Sequence, residues 1–86
     1  MADEFTDRIA AYTLFNSSGG KIQPVKFRWH GRVYRVDEVT YRWETREGMT
    51  RREHFSARSG GTLFELVFDT QELTWEVRNA QVLGSG

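Results

Sequence analysis

The side chains able to do chemistry in this chain are few. His30 and His54 are its two histidines, and it has no cysteine. Without a thiol there is no disulfide framework, thiolate metal site or cysteine nucleophile. The histidines share no ligand spacing such as HxxxH, so no metal is expected. His30 reads as a turn residue and His54 as a sheet-surface residue. Ser17-Ser18-Gly19-Gly20-Lys21 resembles a phosphate loop only superficially. The Walker spacing and a surrounding strand–loop–helix unit are missing, so it reads as a flexible linker. His54, Ser56 and Ser59 are close in sequence, but no carboxylate is evident to orient the imidazole, and no nucleophilic triad is expected. Glu44, Glu47 and Glu53 sit among arginines and are expected to pair with them instead of forming a glycosidase pair. The expectation is a non-enzymatic protein without a cofactor.

Charge is the more informative chemistry. Twelve Lys and Arg balance twelve Asp and Glu, but unevenly along the chain. Residues 21–58 hold ten basic residues and five acids, whereas 1–20 is net −2 and 59–86 net −3. Ten of the twelve basic residues are Arg, whose planar fork suits carboxylate or phosphate. Lys26, Arg28, Arg35, Arg42, Arg46 and Arg52 all alternate with apolar positions and are expected on one solvent face of a sheet. Such a face can track a phosphate backbone. The competing expectation is a solvated face whose arginines pair with Glu44 and Glu65 and keep sheet edges apart.

The elements that must position these residues follow from hydrophobic period. From Pro24 onward the period is two. Val25, Phe27 and Trp29 alternate with Lys26 and Arg28, and His30-Gly31 suits a two-residue hairpin turn. That hairpin pairs Trp29 with Arg32, Phe27 with Tyr34 and Val25 with Val36. Val39, Tyr41 and Trp43 form the next inward set. A three-residue loop at Glu47-Gly48-Met49 then pairs Tyr41 with Phe55, Val39 with Ala57 and Glu44 with Arg52. After the turn at Ser59-Gly60-Gly61, Phe64, Leu66 and Phe68 point inward and Leu63, Glu65 and Val67 outward. Asp69-Thr70-Gln71-Glu72 is a four-residue turn, and Leu73, Trp75 and Val77 complete the apolar face.

These segments predict a mainly β fold, a curled antiparallel meander of about six short strands forming a small barrel-like sheet. Residues 1–15 are expected to hold a short helix covering the sheet, because Phe5, Ile9 and Tyr12 fall at i, i+4 and i+7, although Tyr12-Thr13-Leu14-Phe15 also suits a strand. Residues 16–23 read as loop, 24–78 as the β-meander, and 84–86 as a flexible tail. All of 1–83 is then one domain, which suits 86 residues. No apolar run reaches the roughly 18 residues of a membrane span, and no secretory leader is evident, so a cytoplasmic location is expected.

The pattern Pro24-x-x-Phe27-x-Trp29-x-Gly31-Arg32-x-Tyr34-x-Val36 continues with Trp43, Arg52-x-x-Phe55, Gly61-x-x-Phe64-Glu65-Leu66, Asp69 and Trp75. Across about residues 22–78 this resembles a small bacterial family of unknown function. Related segments occur at the C-terminal end of proteins resembling Y-family, translesion DNA polymerases. The resemblance implies a context in DNA metabolism and carries over no catalytic residue. The reading of the whole sequence is a β module that binds single-stranded nucleic acid or a DNA-metabolism protein through its basic face. The alternative is a protein-interaction or self-association module using an aromatic face or a sheet edge.

Overall fold

The computed structural model describes residues 6–16 and 21–84. Seven strands form a single sheet: β1 Asp7–Asn16, β2 Lys21–Trp29, β3 Arg32–Arg35, β4 Glu38–Glu47, β5 Thr50–Ser59, β6 Thr62–Asp69 and β7 Thr74–Val82. Their order is β3-β2-β1-β7-β6-β5-β4, and every neighbouring pair is antiparallel. Each strand therefore lies beside its neighbours in sequence except at one seam, between β3 and β4. Only Val36 and Asp37 cross that seam. The three steps from Arg35 to Glu38 reach about 10–11 Å at most, so the sheet has to curl until its edges approach, giving a half-barrel. Asp37 secures the crossing. Its N–H donates to the Arg58 carbonyl over 2.8 Å, and its carboxylate accepts from the N–H of Gly60 over 2.7 Å.

The tight turns carry the backbone angles their types require. His30 and Gly31 both have positive φ, 50° and 76°, as a type I′ hairpin demands. The pairs Trp29–Arg32 and Phe27–Tyr34 form as the sequence predicts. The curled face encloses the core. Phe27, Phe55, Ala57, Phe64, Leu66 and Val77 are each at most 1% exposed. Phe64 sits at the centre, edge-on to Phe27 at 4.9 Å and to Tyr34 at 5.0 Å between ring centres. Such contacts add about 0.5–1.5 kcal/mol each beyond burial.

Four expectations are corrected. The N-terminal helix is not seen among the described residues: residues 7–16 are strand β1, which lies between β2 and β7. Ile9 and Ala11 pack on the core, while Tyr12 is 66% exposed on the outer face. Alternation, not a helical stripe, is the true period here, and β1 makes the seventh strand. Phe5, residues 17–20 of the expected loop and 85–86 of the expected tail lie outside the described residues. The loop ends early, since β2 begins at Lys21.

The β4–β5 register also differs. The turn has two residues, Gly48 and Met49, so Tyr41 meets Ser56, Arg42 meets Phe55 and Trp43 meets His54. A bulge between Val39 and Tyr41 restores the expected Val39–Ala57 pair. Tyr41 and Trp43 thus turn outward and Arg42 inward. Finally, Leu73 belongs to the β6–β7 turn, with φ 59° and 69% exposure, rather than to the apolar face.

Candidate nucleic-acid interface

The outer face of β1, β2 and β3 is built from two directly paired rows. Tyr12, Lys26 and Arg35 form one, and Ala10, Arg28 and Val33 the other. Lys26 and Arg35 stand directly opposite each other, a like-charge pair that weakens a sheet. Among the described residues, no carboxylate forms an ion pair with Lys26, Arg28 or Arg35. Tyr12 presents its ring beside them, with the Lys26 ammonium 4.6 Å from its centre. Val33 is also exposed. Because Ala10 is small, a cleft of about 250 Å³ opens between Tyr12, Lys26, Arg28 and Val33. Cations, an exposed aromatic ring and a shallow cleft share one surface, the chemistry of a phosphate track with a stacking platform.

The other three predicted basic residues do not join this surface. Arg42 faces inward, its guanidinium 4.9 Å from the Phe55 ring centre and bonded over 2.7 Å to the Ile22 carbonyl. Arg46 is directly opposite Arg51, which lies 3.6 Å from Glu44. Arg52 is bound to Glu47 and lies 3.7 Å from Asp69. The bond to Glu47 and the nearby acids raise its pKa further, against the effect of burial. Its charge is consumed inside the protein. The expected Glu44–Arg52 pair does not form, because the register places Thr45 opposite Arg52. Tyr12 is the contact missed in the sequence, although the alternation of Ile9, Ala11 and Thr13 against Ala10, Tyr12 and Leu14 signals it.

A second polar arrangement crosses β4, β5 and β6 on their outer face. His54 is not a surface residue: it is 5% exposed, beneath the ring of Trp43 stacked at 4.9 Å. Its Nδ1 lies 3.2 Å from Glu65 Oε2 and its Nε2 lies 2.7 Å from Thr45 Oγ1. A carboxylate only accepts, so Nδ1–H donates to Glu65. Nε2, the other ring nitrogen, is hydrogen-bonded to the Thr45 hydroxyl. Val67, directly opposite His54, is fully buried under this layer. Glu65 is thus the orienting carboxylate that sequence spacing did not reveal. Tyr41 stacks on the far side of Trp43 at 5.5 Å, extending the aromatic layer toward solvent.

No family model matches the chain, and no curated protein or solved structure matches it. Among the described residues, no helix is long and apolar enough to cross a membrane.

Proposed function

We propose that this chain is a non-enzymatic module that binds single-stranded nucleic acid on the outer face of β1–β3. The observation that carries the reading is the directly opposed pair Lys26–Arg35, with Arg28 beside it. None of the three is neutralised by a described carboxylate, and all share a surface with exposed Tyr12. Uncompensated like charges weaken the folded state and are relieved by a bound polyanion. The sequence resemblance to polymerase-associated segments supports a setting in DNA metabolism.

The test is titration of a labelled, mixed-sequence single-stranded oligonucleotide at low and physiological salt. Neutralising three phosphates gives a slope of log affinity against log salt of about −2, at roughly 0.7 per contact. The double variant Arg28→Glu, Arg35→Glu should lose binding while keeping its melting temperature, because both side chains are exposed. A folded protein that binds nothing at low salt overturns the reading.

A second reading rests on the open seam. β3 and β4 are edge strands, and exposed edges are templates for pairing with another chain. In that case the partner is a protein, and association is insensitive to salt and to the Arg28/Arg35 reversals.

A further inference from the structure

A second cleft, of about 140 Å³, lies on the outer face of β5, β6 and β7. Its floor is the cross-strand row Ser56, Glu65, Asn79. Trp43 walls one side, and Leu63 and Gln81 the other. The hollow exists because the small Ser56 stands between Trp43 and Leu63. Such a volume falls below the roughly 300–1,000 Å³ of clefts that enclose drug-sized ligands. It suits one flat ring system, with the rest of the ligand left in solvent.

The polar groups here are matched to a donor. His54 holds Glu65 through Oε2, which fixes the carboxylate and leaves Oε1 without a bond to the imidazole. Asn79, directly opposite Glu65, has its Oδ1 buried with no hydrogen-bond partner. Buried acceptors are seldom left unpaired, so this one calls for an explanation. The terminal torsion of Asn is broad, so a donor entering the cleft can draw this oxygen toward it. Trp43 supplies the indole wall. Two neighbouring acceptors beside an aromatic ring fit a base whose pairing edge offers two adjacent donors. Guanine, through N1–H and its exocyclic amine, has that edge. Adenine and cytosine offer a single amino group there, and uracil presents mainly acceptors.

We infer that the Trp43–Glu65–Asn79 cleft is a guanine-base pocket, which deepens the proposed nucleic-acid function and rests on it for its biological setting. In this pocket the base lies against the edge of the Trp43 indole, whose two faces are held by His54 and Tyr41, and its two donors meet Glu65 Oε1 and Asn79 Oδ1. His54 is a positioning residue that holds the carboxylate.

The test compares guanosine, adenosine, cytidine, uridine and inosine 5′-monophosphates by amide NMR shifts of the full chain. The phosphate is the same in all five, so differences report the base. Guanosine monophosphate should move the resonances of Ser56, Glu65 and Asn79 most. Inosine monophosphate, which lacks the exocyclic amine, should bind more weakly. Glu65→Gln should lower the guanosine affinity at least about tenfold, as expected for one hydrogen bond to a charged group. Ser56→Val, which fills the hollow from an outer-face position, should abolish these shifts in a protein with a native spectrum. Binding in the Arg28→Glu, Arg35→Glu protein should keep the same base preference. Equal shifts with every base, or shifts confined to β1–β3, overturn the pocket. Loss of oligonucleotide binding in the parent protein overturns the phosphate face instead, so the two failures are separable.

Discussion

Arg42 Nη2 donates to the carbonyl of Ile22 over 2.7 Å, and this bond ties β4 to β2 across the open seam. β3 pairs with Lys26–Trp29 only, so the first half of β2 has no strand partner on that side. Arg42 fills the gap with a side chain, lying over Phe55 as it does so. Replacing Arg42 with Met removes a charge-assisted bond and should destabilise the fold by about 1.5–3 kcal/mol. Arg42→Lys should restore little, since an ammonium lacks the planar fork that covers the ring. Urea midpoints of the two variants decide the point: if Lys restores full stability, the seam does not depend on the guanidinium.

Strand β1 occupies the middle of the sheet, with β2 on one side and β7 on the other. Removing residues 1–15 should therefore unfold the protein outright instead of uncovering one face. Loss of the cooperative thermal transition in the truncated chain is the expected result, and a retained transition would contradict the topology.

Phe27 and Phe64 are each 1% exposed and in edge-on contact. Truncating either to Ala should destabilise the domain by about 3–5 kcal/mol. Tyr41→Ala, on a ring 65% exposed, should change stability by well under half of that. Denaturant unfolding of the three variants separates the core from the outer aromatic layer.

Asp69 opens the β6–β7 turn. Its carboxylate accepts from the N–H groups of Glu72 and Gln71, each over 2.9 Å. These bonds, that to Glu72 foremost, hold its pKa below the usual carboxylate range, and Arg52 adds to the shift against burial. A lowered folded-state pKa favours the native state fully above the unfolded value of about 4. That contribution is lost as pH falls through the folded value. Asp69→Asn should therefore flatten the fall in stability below about pH 4. Unfolding midpoints of parent and variant across that range give the comparison, and parallel curves would remove Asp69 as a source of the acid sensitivity.

The parts legible in the sequence are those where local chemistry and period agree. His30-Gly31 carries a turn type that admits one register, and the pairs around it follow. Phe64, Leu66 and Phe68 alternate cleanly, and all three are buried. The β1 segment misleads because Phe5, Ile9 and Tyr12 satisfy a helical spacing while Ile9, Ala11 and Thr13 satisfy a strand, and Ala and Thr are weak apolar signals. Strand β4 misleads because its most apolar row is its outer one. Tyr41 and Trp43 cover His54 there, whereas the cation at Arg42 points inward to lace the seam. A bulge then hides the one-residue offset from Val39. For the candidate interface, Lys26, Arg28 and Arg35 were visible because the hairpin fixes them. Arg42, Arg46 and Arg52 were misplaced with the β4–β5 register and by an ion pair made beyond the local strand. The His54–Glu65 contact joins residues on different strands, and no spacing rule links them.

The pairing of β1 with β7 is confined to three residue pairs, Asp7–Val77, Arg8–Glu76 and Ile9–Trp75. Every other ladder joins strands adjacent in the chain. Folding can thus proceed by two separate local meanders, β1–β3 and β4–β7, each closed by short turns at small entropic cost. The short ladder joins ends nearly the whole chain apart, and its loop-closure entropy places it late. Interactions formed after the transition state govern the unfolding rate. The lifetime of the native protein is therefore set at Ile9 and Trp75, where Ile9→Val should speed unfolding and leave the refolding rate nearly unchanged.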